Sequence, residues 1–126
     1  MTHEEFLIEY YIIAERALKF SEKARKEGLL ALEEDFDQER INDRNIFDYG
    51  IRFVVDGIDR EVIEKILSNL IEQEENENIR KLKNLEKEAV LMIQDGTNTR
   101  ILFAILNSYT NLPLKEDKLN LTYGRL

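Results

Sequence analysis

The stretch "REVIEKILSNLIEQEENENIRKLKNLEKEAVLMIQDG" at residues 60–96 decides how this chain folds. Its two halves each carry an apolar stripe at helical spacing, and the polar run "EQEENEN" at residues 72–78 separates them. The first stripe comprises Val62, Ile63, Ile66, Leu67, Leu70 and Ile71, and the second comprises Ile79, Leu82, Leu85, Ala89, Val90 and Ile93.

Extended at about 3.6 residues per turn, the first stripe falls out of phase with the second by roughly two residues. A single straight helix would therefore present the two stripes on different sides. We predict a turn at residues 75–78 and an antiparallel helix pair across residues 59–94. One continuous helix is the alternative, because nothing in the polar run forbids helix.

Capping signals divide the segment before this pair. A first helix is predicted at residues 2–27, with Thr2 as its cap. Gly28 ends it, since glycine suits the left-handed conformation that closes a helix. A short second helix follows at residues 29–38, and a third at residues 44–56.

Glycines within and after the third helix have different predicted roles. Gly50 marks close helix packing rather than a break, whereas Gly57 and Gly96 end helices. Asp59 is the predicted cap of the fourth helix, and Thr97 or Asn98 caps a last helix that reaches residue 111. The chain is thus expected to be one all-α domain, residues 1–126, of about five to six helices, with a frayed tail at residues 113–126.

Composition excludes several classes of function. The 126 residues carry a net charge of -8, which argues against nucleic acid and anionic membranes as partners. With 43% hydrophobic residues the chain can bury a core.

The sequence also indicates where the protein is located. It lacks cysteine, as is common in a reducing cytoplasm. A membrane helix needs about 20 mainly apolar residues, and no such run is present, so a soluble cytoplasmic protein is expected.

The residue types for catalysis or metal binding are scarce. His3 is the only histidine, so a histidine metal site or a serine–histidine triad is not expected, and we predict neither a metal nor a cofactor. Glu33, Glu34 and Asp35 are adjacent acids of a kind that usually forms a solvated face. We therefore predict that the protein is not an enzyme. An enzyme would require a deep pocket that holds a carboxylate with a strongly raised pKa.

The apolar stripe of the first helix is unusually wide. Either other helices cover it on two sides, or part of it is an exposed surface for self-association. The candidate residues for such a surface are Tyr10, Tyr11, Ile12 and Leu18. A self-associating structural or scaffold protein unrelated to motility, a homo-oligomer, is accordingly an alternative function.

Three separated motifs resemble MotA-type flagellar stator subunits, of the MotA/TolQ/ExbB proton-channel family. "EKARKEGLLALEED" at residues 22–35 is similar to the stretch after the second membrane helix of those proteins. "FVVDGIDREVIEKIL" at residues 53–67 is similar to the segment before the third, and "EAVLMIQDGTNTRIL" at residues 88–102 to the segment after the fourth. The motifs occur in family order, although Arg60 and Thr99 stand where the family has proline.

The resemblance covers the cytoplasmic domain alone, with all membrane helices absent. The run "EENENIRKLKN" at residues 74–84 stands where the third and fourth membrane helices would be. Because those two helices are antiparallel in the family, a tight turn could replace them. An engineered excision of a full-length stator subunit is a further alternative.

The resemblance also implies a site and a partner. Arg25 and Glu33 occupy the positions that contact the FliG-type rotor switch protein in the family, with Gly28 as the helix break between them. The implied function is a non-catalytic interaction module, cytoplasmic and peripheral to the flagellar motor, that binds the rotor protein, stator subunits, or both, and conducts no ions. The alternative is that both residues are ordinary solvated charges and that Gly28 is a plain helix cap.

Overall fold

The structure, a computed structural model, describes residues 1–109, and every regular element in that range is helical. The five α-helices are α1 (His3–Glu27), α2 (Ile46–Val55), α3 (Arg60–Glu72), α4 (Glu77–Asp95) and α5 (Thr99–Asn107). Two short 3-10 helices, Leu29–Asp35 and Gln38–Arg40, connect α1 to α2. The all-α prediction is confirmed. The predicted frayed tail at residues 113–126 lies outside the described residues.

The antiparallel pair is confirmed, and one continuous helix is excluded. The chain reverses at residues 73–76, where the Asn76 side chain accepts from the N–H of Ile79 at 3.0 Å and starts α4. Near this turn Lys83 pairs with Glu74 at 2.9 Å. At the far end of the pair Arg60, the first residue of α3, meets Asp95, the last residue of α4, at 3.0 Å. The turn precedes the predicted position by two residues because Asn76 supplies the cap of α4.

The first helix matches its predicted span and lies parallel to α4. Thr2 and Glu5 form a reciprocal capping box at its start. At its other end the Arg25 guanidinium reaches the carbonyl of Gly96, just beyond α4. The helices α1, α2 and α3 all pack against α4, and α1 also packs against α5. Other elements therefore cover α1 on more than one side.

The second predicted helix differs from the structure. Residues 29–35 form a 3-10 helix, and the chain is extended at Phe36 before the next short turn. Only Leu32 of this segment enters the core, so little apolar burial supports a longer α-helix. Gly28 does have positive φ, but its angles of 92° and 161° lie in the glycine-specific extended region. The prediction of a left-handed helical end was therefore wrong at Gly28, whereas Gly96 does adopt that conformation.

The predicted start of the third helix and the predicted end of the last helix also differ from the structure. Helix α2 begins at Ile46 rather than residue 44, because the Asn42 side chain holds the N–H of Arg44 in a turn at 2.9 Å. Helix α5 ends at Asn107, short of residue 111. Asn98 is the cap of α5.

Gly50 lies at the point where α2 approaches its neighbours most closely. A Cβ at this position would lie 2.9 Å from both Cγ atoms of Val90 and 3.0 Å from Cδ1 of Leu67. Real Cβ atoms do not approach other carbons that closely. The prediction that Gly50 marks close packing within a helix is confirmed.

We expect Gly50→Ala to destabilise the protein by on the order of 1 kcal/mol in urea unfolding. Alanine gains about 1 kcal/mol of helix propensity, but overpacking a core costs about 1–3 kcal/mol. The matched test is a double-mutant cycle that combines Gly50→Ala with Val90→Ala. The second change removes the two Val90 methyl groups that the new Cβ would meet. The double variant should be more stable than the sum of the two single changes predicts. A Gly50→Ala protein more stable than wild type would contradict the close approach.

Candidate functional site

The three MotA-like segments come together at one end of the helix bundle. Gly28, Gly57 and Gly96 all have positive φ, and they mark the ends of α1, α2 and α4. Two hydrogen bonds join their segments: Arg25 to the Gly96 carbonyl at 2.6 Å, and the Gln94 side-chain amide to the Ile58 carbonyl at 2.8 Å. We call this region, formed by residues 22–35, 53–67 and 88–102, the glycine end.

Arg25 is exposed, but it has a partner within the chain. Its guanidinium donates to the carbonyl of Gly96, in the left-handed residue that closes α4. A cation at a helix C-terminus also interacts favourably with the helix dipole. Arg25 therefore links the last turn of α1 to the turn between α4 and α5, a structural role that the sequence pattern did not indicate.

Glu33 is more loosely held. Its side chain is 56% exposed, and the nearest cation, Arg52, lies 3.5 Å away and also pairs with Asp56 at 3.2 Å. Its neighbours Glu34 and Asp35 both contact Lys23 of α1, at 3.2 Å and 2.9 Å. These contacts hold the 3-10 helix against α1 and leave most of the Glu33 carboxylate open to solvent.

We expect Arg25→Ala to lower the free energy of unfolding by about 1 kcal/mol, because the Gly96 carbonyl loses a charged donor. Lys26→Ala is the control: Lys26 is also an exposed cation of the last turn, and it only makes an exposed pair with Glu22. Its loss should cost about 0.3–0.5 kcal/mol. Equal urea midpoints for the two variants would show that the Arg25–Gly96 contact adds nothing to stability.

A buried charge cluster, absent from the sequence-based site, lies between α1, α2 and α4. Asp48 is only 5% exposed and binds Arg16 at 2.8 Å and Arg40 at 3.2 Å. Beside it, Oε2 of Glu86 accepts the backbone N–H of Phe47 at 3.0 Å. Glu86 falls on the apolar stripe of α4, and a carboxylate on a buried stripe was the signal in the sequence that could have identified it.

The pKa of Glu86 is raised to about 7, chiefly by burial and also by the nearby Asp48 carboxylate. The hydrogen bond from Phe47 and the two arginines of the cluster act in the opposite direction. A raised carboxyl pKa is one of the two features that we required of an enzyme. The second, a deep pocket, is not met there: among the described residues, Glu86 lines an open groove. A non-catalytic protein remains our prediction.

This pKa predicts a pH dependence. Between the ordinary glutamate pKa of 4.5 and about 7 the folded state holds a proton on Glu86 that the unfolded state releases. The contribution of Glu86 to stability is therefore fully present at low pH and is lost as pH rises through about 7. Relative to Glu86→Gln, wild type should lose on the order of 2 kcal/mol between about pH 5 and pH 8.

Urea unfolding across that pH range measures the difference. Glu75→Gln is the control, since Glu75 is exposed in the α3–α4 turn and its loss changes the net charge equally. Parallel stability profiles for wild type and Glu86→Gln would contradict a raised pKa at this position.

The proposed self-association face is not assembled as the sequence indicated. Tyr10 and Leu18 are 1% and 0% exposed, so they cannot contact a second molecule. The Tyr10 hydroxyl donates to the carbonyl of Leu106, because the α1 face that carries it is covered by α5. Tyr11 is partly buried, and Ile12 remains 48% exposed. The assignment of Tyr10 and Leu18 to an exposed face was therefore wrong.

Within residues 1–109, no group of acidic or histidine side chains is arranged to hold a metal ion. In the same range, none of the helices combines the length and the apolar character needed to cross a bilayer.

Comparison with known proteins gives partial matches to one kind of protein. The chain is 54% identical over 50 residues to Motility protein A of Borreliella burgdorferi, which covers 40% of this chain and 18% of that protein. It is 44% identical over 70 residues to Motility protein A of Treponema phagedenis, which covers 52% of this chain and 25% of that protein. No family model and no solved structure matches. The chain thus spans a quarter or less of the length of these curated relatives, and about half of it is related to Motility protein A.

Proposed function

We propose that this protein is a non-catalytic interaction module of the bacterial flagellar motor, located in the cytoplasm beside it. It binds the FliG-type rotor switch protein, stator subunits, or both, through the glycine end. The observation that carries this proposal is that the three MotA-like segments, separated along the chain, are joined by hydrogen bonds at one end of the bundle. In this proposal the protein itself conducts no ions.

The charges of the glycine end support a contact that forms and breaks repeatedly. Glu33 is mostly exposed and its pair with Arg52 is long, so its release to a partner costs little. Arg25 is exposed on the other side of Gly28 and can offer its remaining donors while one of them holds the Gly96 carbonyl. Opposite charges on an exposed rim steer encounter and fix register more than they increase affinity.

The test is a binding titration against the C-terminal domain of the FliG-type rotor protein from the same organism, at low and moderate salt. Glu33→Lys should weaken binding about tenfold or more at low salt, because it reverses a charge at the contact. Glu39→Lys is the matched control, since Glu39 is exposed on the second 3-10 helix and its reversal changes the net charge equally.

Arg25→Glu is the second arm, and it needs a check of folding because Arg25 also supports the Gly96 turn. Binding that weakens equally for Glu33→Lys and Glu39→Lys would assign the attraction to net charge rather than to this site. No binding by folded wild-type protein would exclude the rotor partner, and the same titration against stator subunits would then test the second partner.

A further inference from the structure

An open groove lies at the opposite end of α1 from the glycine end. It runs between the first turns of α1 and of α4 and has a volume of about 360 Å³. Its apolar walls come from Ile8 and Ile13 of α1 and from Ile79 and Leu82 of α4. Because Ile8 and Arg25 are seventeen residues apart on one helix, the groove lies about 25 Å from the Arg25 contact.

The charges around this groove are mainly negative. Glu5, Glu9 and Glu86 line it, and the cations among its described lining residues are Lys83 and the α-ammonium of Met1, which lies near Glu5. Lys83 is already paired with Glu74 at 2.9 Å, so it does not neutralise the groove. Glu86 lies close to the Arg16–Asp48–Arg40 cluster, and the Met1 ammonium offsets part of the charge of Glu5, so most of the excess charge comes from Glu9. Within residues 1–109 Glu9 has no ion pair or hydrogen bond of its side chain.

Apolar side chains remain exposed along the same edge. Met1, Ile8 and Ile12 are 48%, 58% and 48% exposed, and Ile8 and Ile12 are one helical turn apart. An apolar edge beside exposed carboxylates is typical of a surface that receives a partner. Water solvates such an edge poorly, whereas an amphipathic segment would cover it.

We propose that this groove binds a basic amphipathic segment of a protein partner, whose apolar side chains enter the groove while its lysine or arginine residues meet Glu5 and Glu9. Charge complementarity selects this occupant, since an acidic segment would meet two like charges and a neutral one would leave the Glu9 carboxylate without a partner. Apolar anchors in a groove with a charged rim are a common mode of helix recognition. The protein would then hold two partners at once, one at each end of α1.

The test uses two synthetic 18-residue amphipathic helices with identical leucine positions, one with lysine and one with glutamate on the polar face. Fluorescence anisotropy measures their binding to the full chain. The lysine peptide should bind, and the Ile8→Ser/Glu9→Lys double variant should weaken that binding at least about tenfold. Glu39→Lys is the charge control, since Glu39 is exposed on the second 3-10 helix, lies outside both the groove lining and the glycine end, and undergoes the same charge change as Glu9→Lys.

Each outcome supports or overturns the proposal that the groove binds a basic amphipathic segment. A tenfold loss in the Ile8–Glu9 variant with less than about a twofold loss in the control supports the proposal. Equal losses would mean attraction by net charge alone, and equal binding of the glutamate peptide would mean apolar adhesion alone; either overturns it. No binding of the lysine peptide at about 100 µM also overturns it.

Light scattering on the free proteins supplies a further arm. A wild-type dimer that the Ile8→Ser/Glu9→Lys variant dissociates would show that a second copy of this chain occupies the groove. That result would replace the proposed partner. Rotor or stator binding at the glycine end is measured separately, so the two proposals fail independently.

Discussion

The burial of the second half of α4 is the constraint on which the rest of this structure depends. Residues 89–93 are five consecutive positions that together face every side of a helix, and all five are buried. A helix covered all round requires neighbours on each side, and α1, α2 and α3 provide most of that cover. The antiparallel turn brings α3 against α4, and the parallel course of α1 places its C-terminal turn beside Gly96. Gly50 permits α2 to reach the same helix at a distance that any larger residue would prevent.

A charge cluster lies beside this dense packing, and its polar partners explain why it is tolerated there. Asp48 can lie in the interior because two arginines, Arg16 and Arg40, bind it directly. Among residues 1–109 no cation lies within ion-pair distance of Glu86, which accepts the N–H of Phe47 instead. A buried carboxyl with one hydrogen bond and no direct ion pair favours its protonated form, as its raised pKa reflects. The cluster joins α1, α2 and α4 through polar contacts where the apolar core ends.

The parallel arrangement of α1 and α4 gives the molecule two different ends. At the C-terminal turns of both helices lie the glycine turns, the exposed carboxylate of Glu33 and the segments that resemble stator proteins. At their N-terminal turns lies an apolar groove with an acidic rim. In the interaction module that we propose, the two surfaces lie at opposite ends of α1, about 25 Å apart.

The sequence by itself determined the helical class, the reversal between α3 and α4, the role of Gly50 and most helix limits, because these depend on local spacing and capping. The phase shift between two apolar stripes favoured a hairpin over one long helix, and the structure confirms the hairpin. Local patterns were weaker at residues 29–38, where a 3-10 helix formed because only Leu32 reaches the core.

Only the tertiary structure decided which apolar residues of α1 are exposed. Tyr10 and Ile12 are equally suited to a stripe in the sequence, but α5 covers Tyr10 and leaves Ile12 in solvent. It also decided that Arg25 holds Gly96 and that Glu86 lies beside Asp48, since these contacts join residues 71 and 38 positions apart. Spacing along a chain reports the periodicity of each helix, but it contains no information on which helix will cover which face.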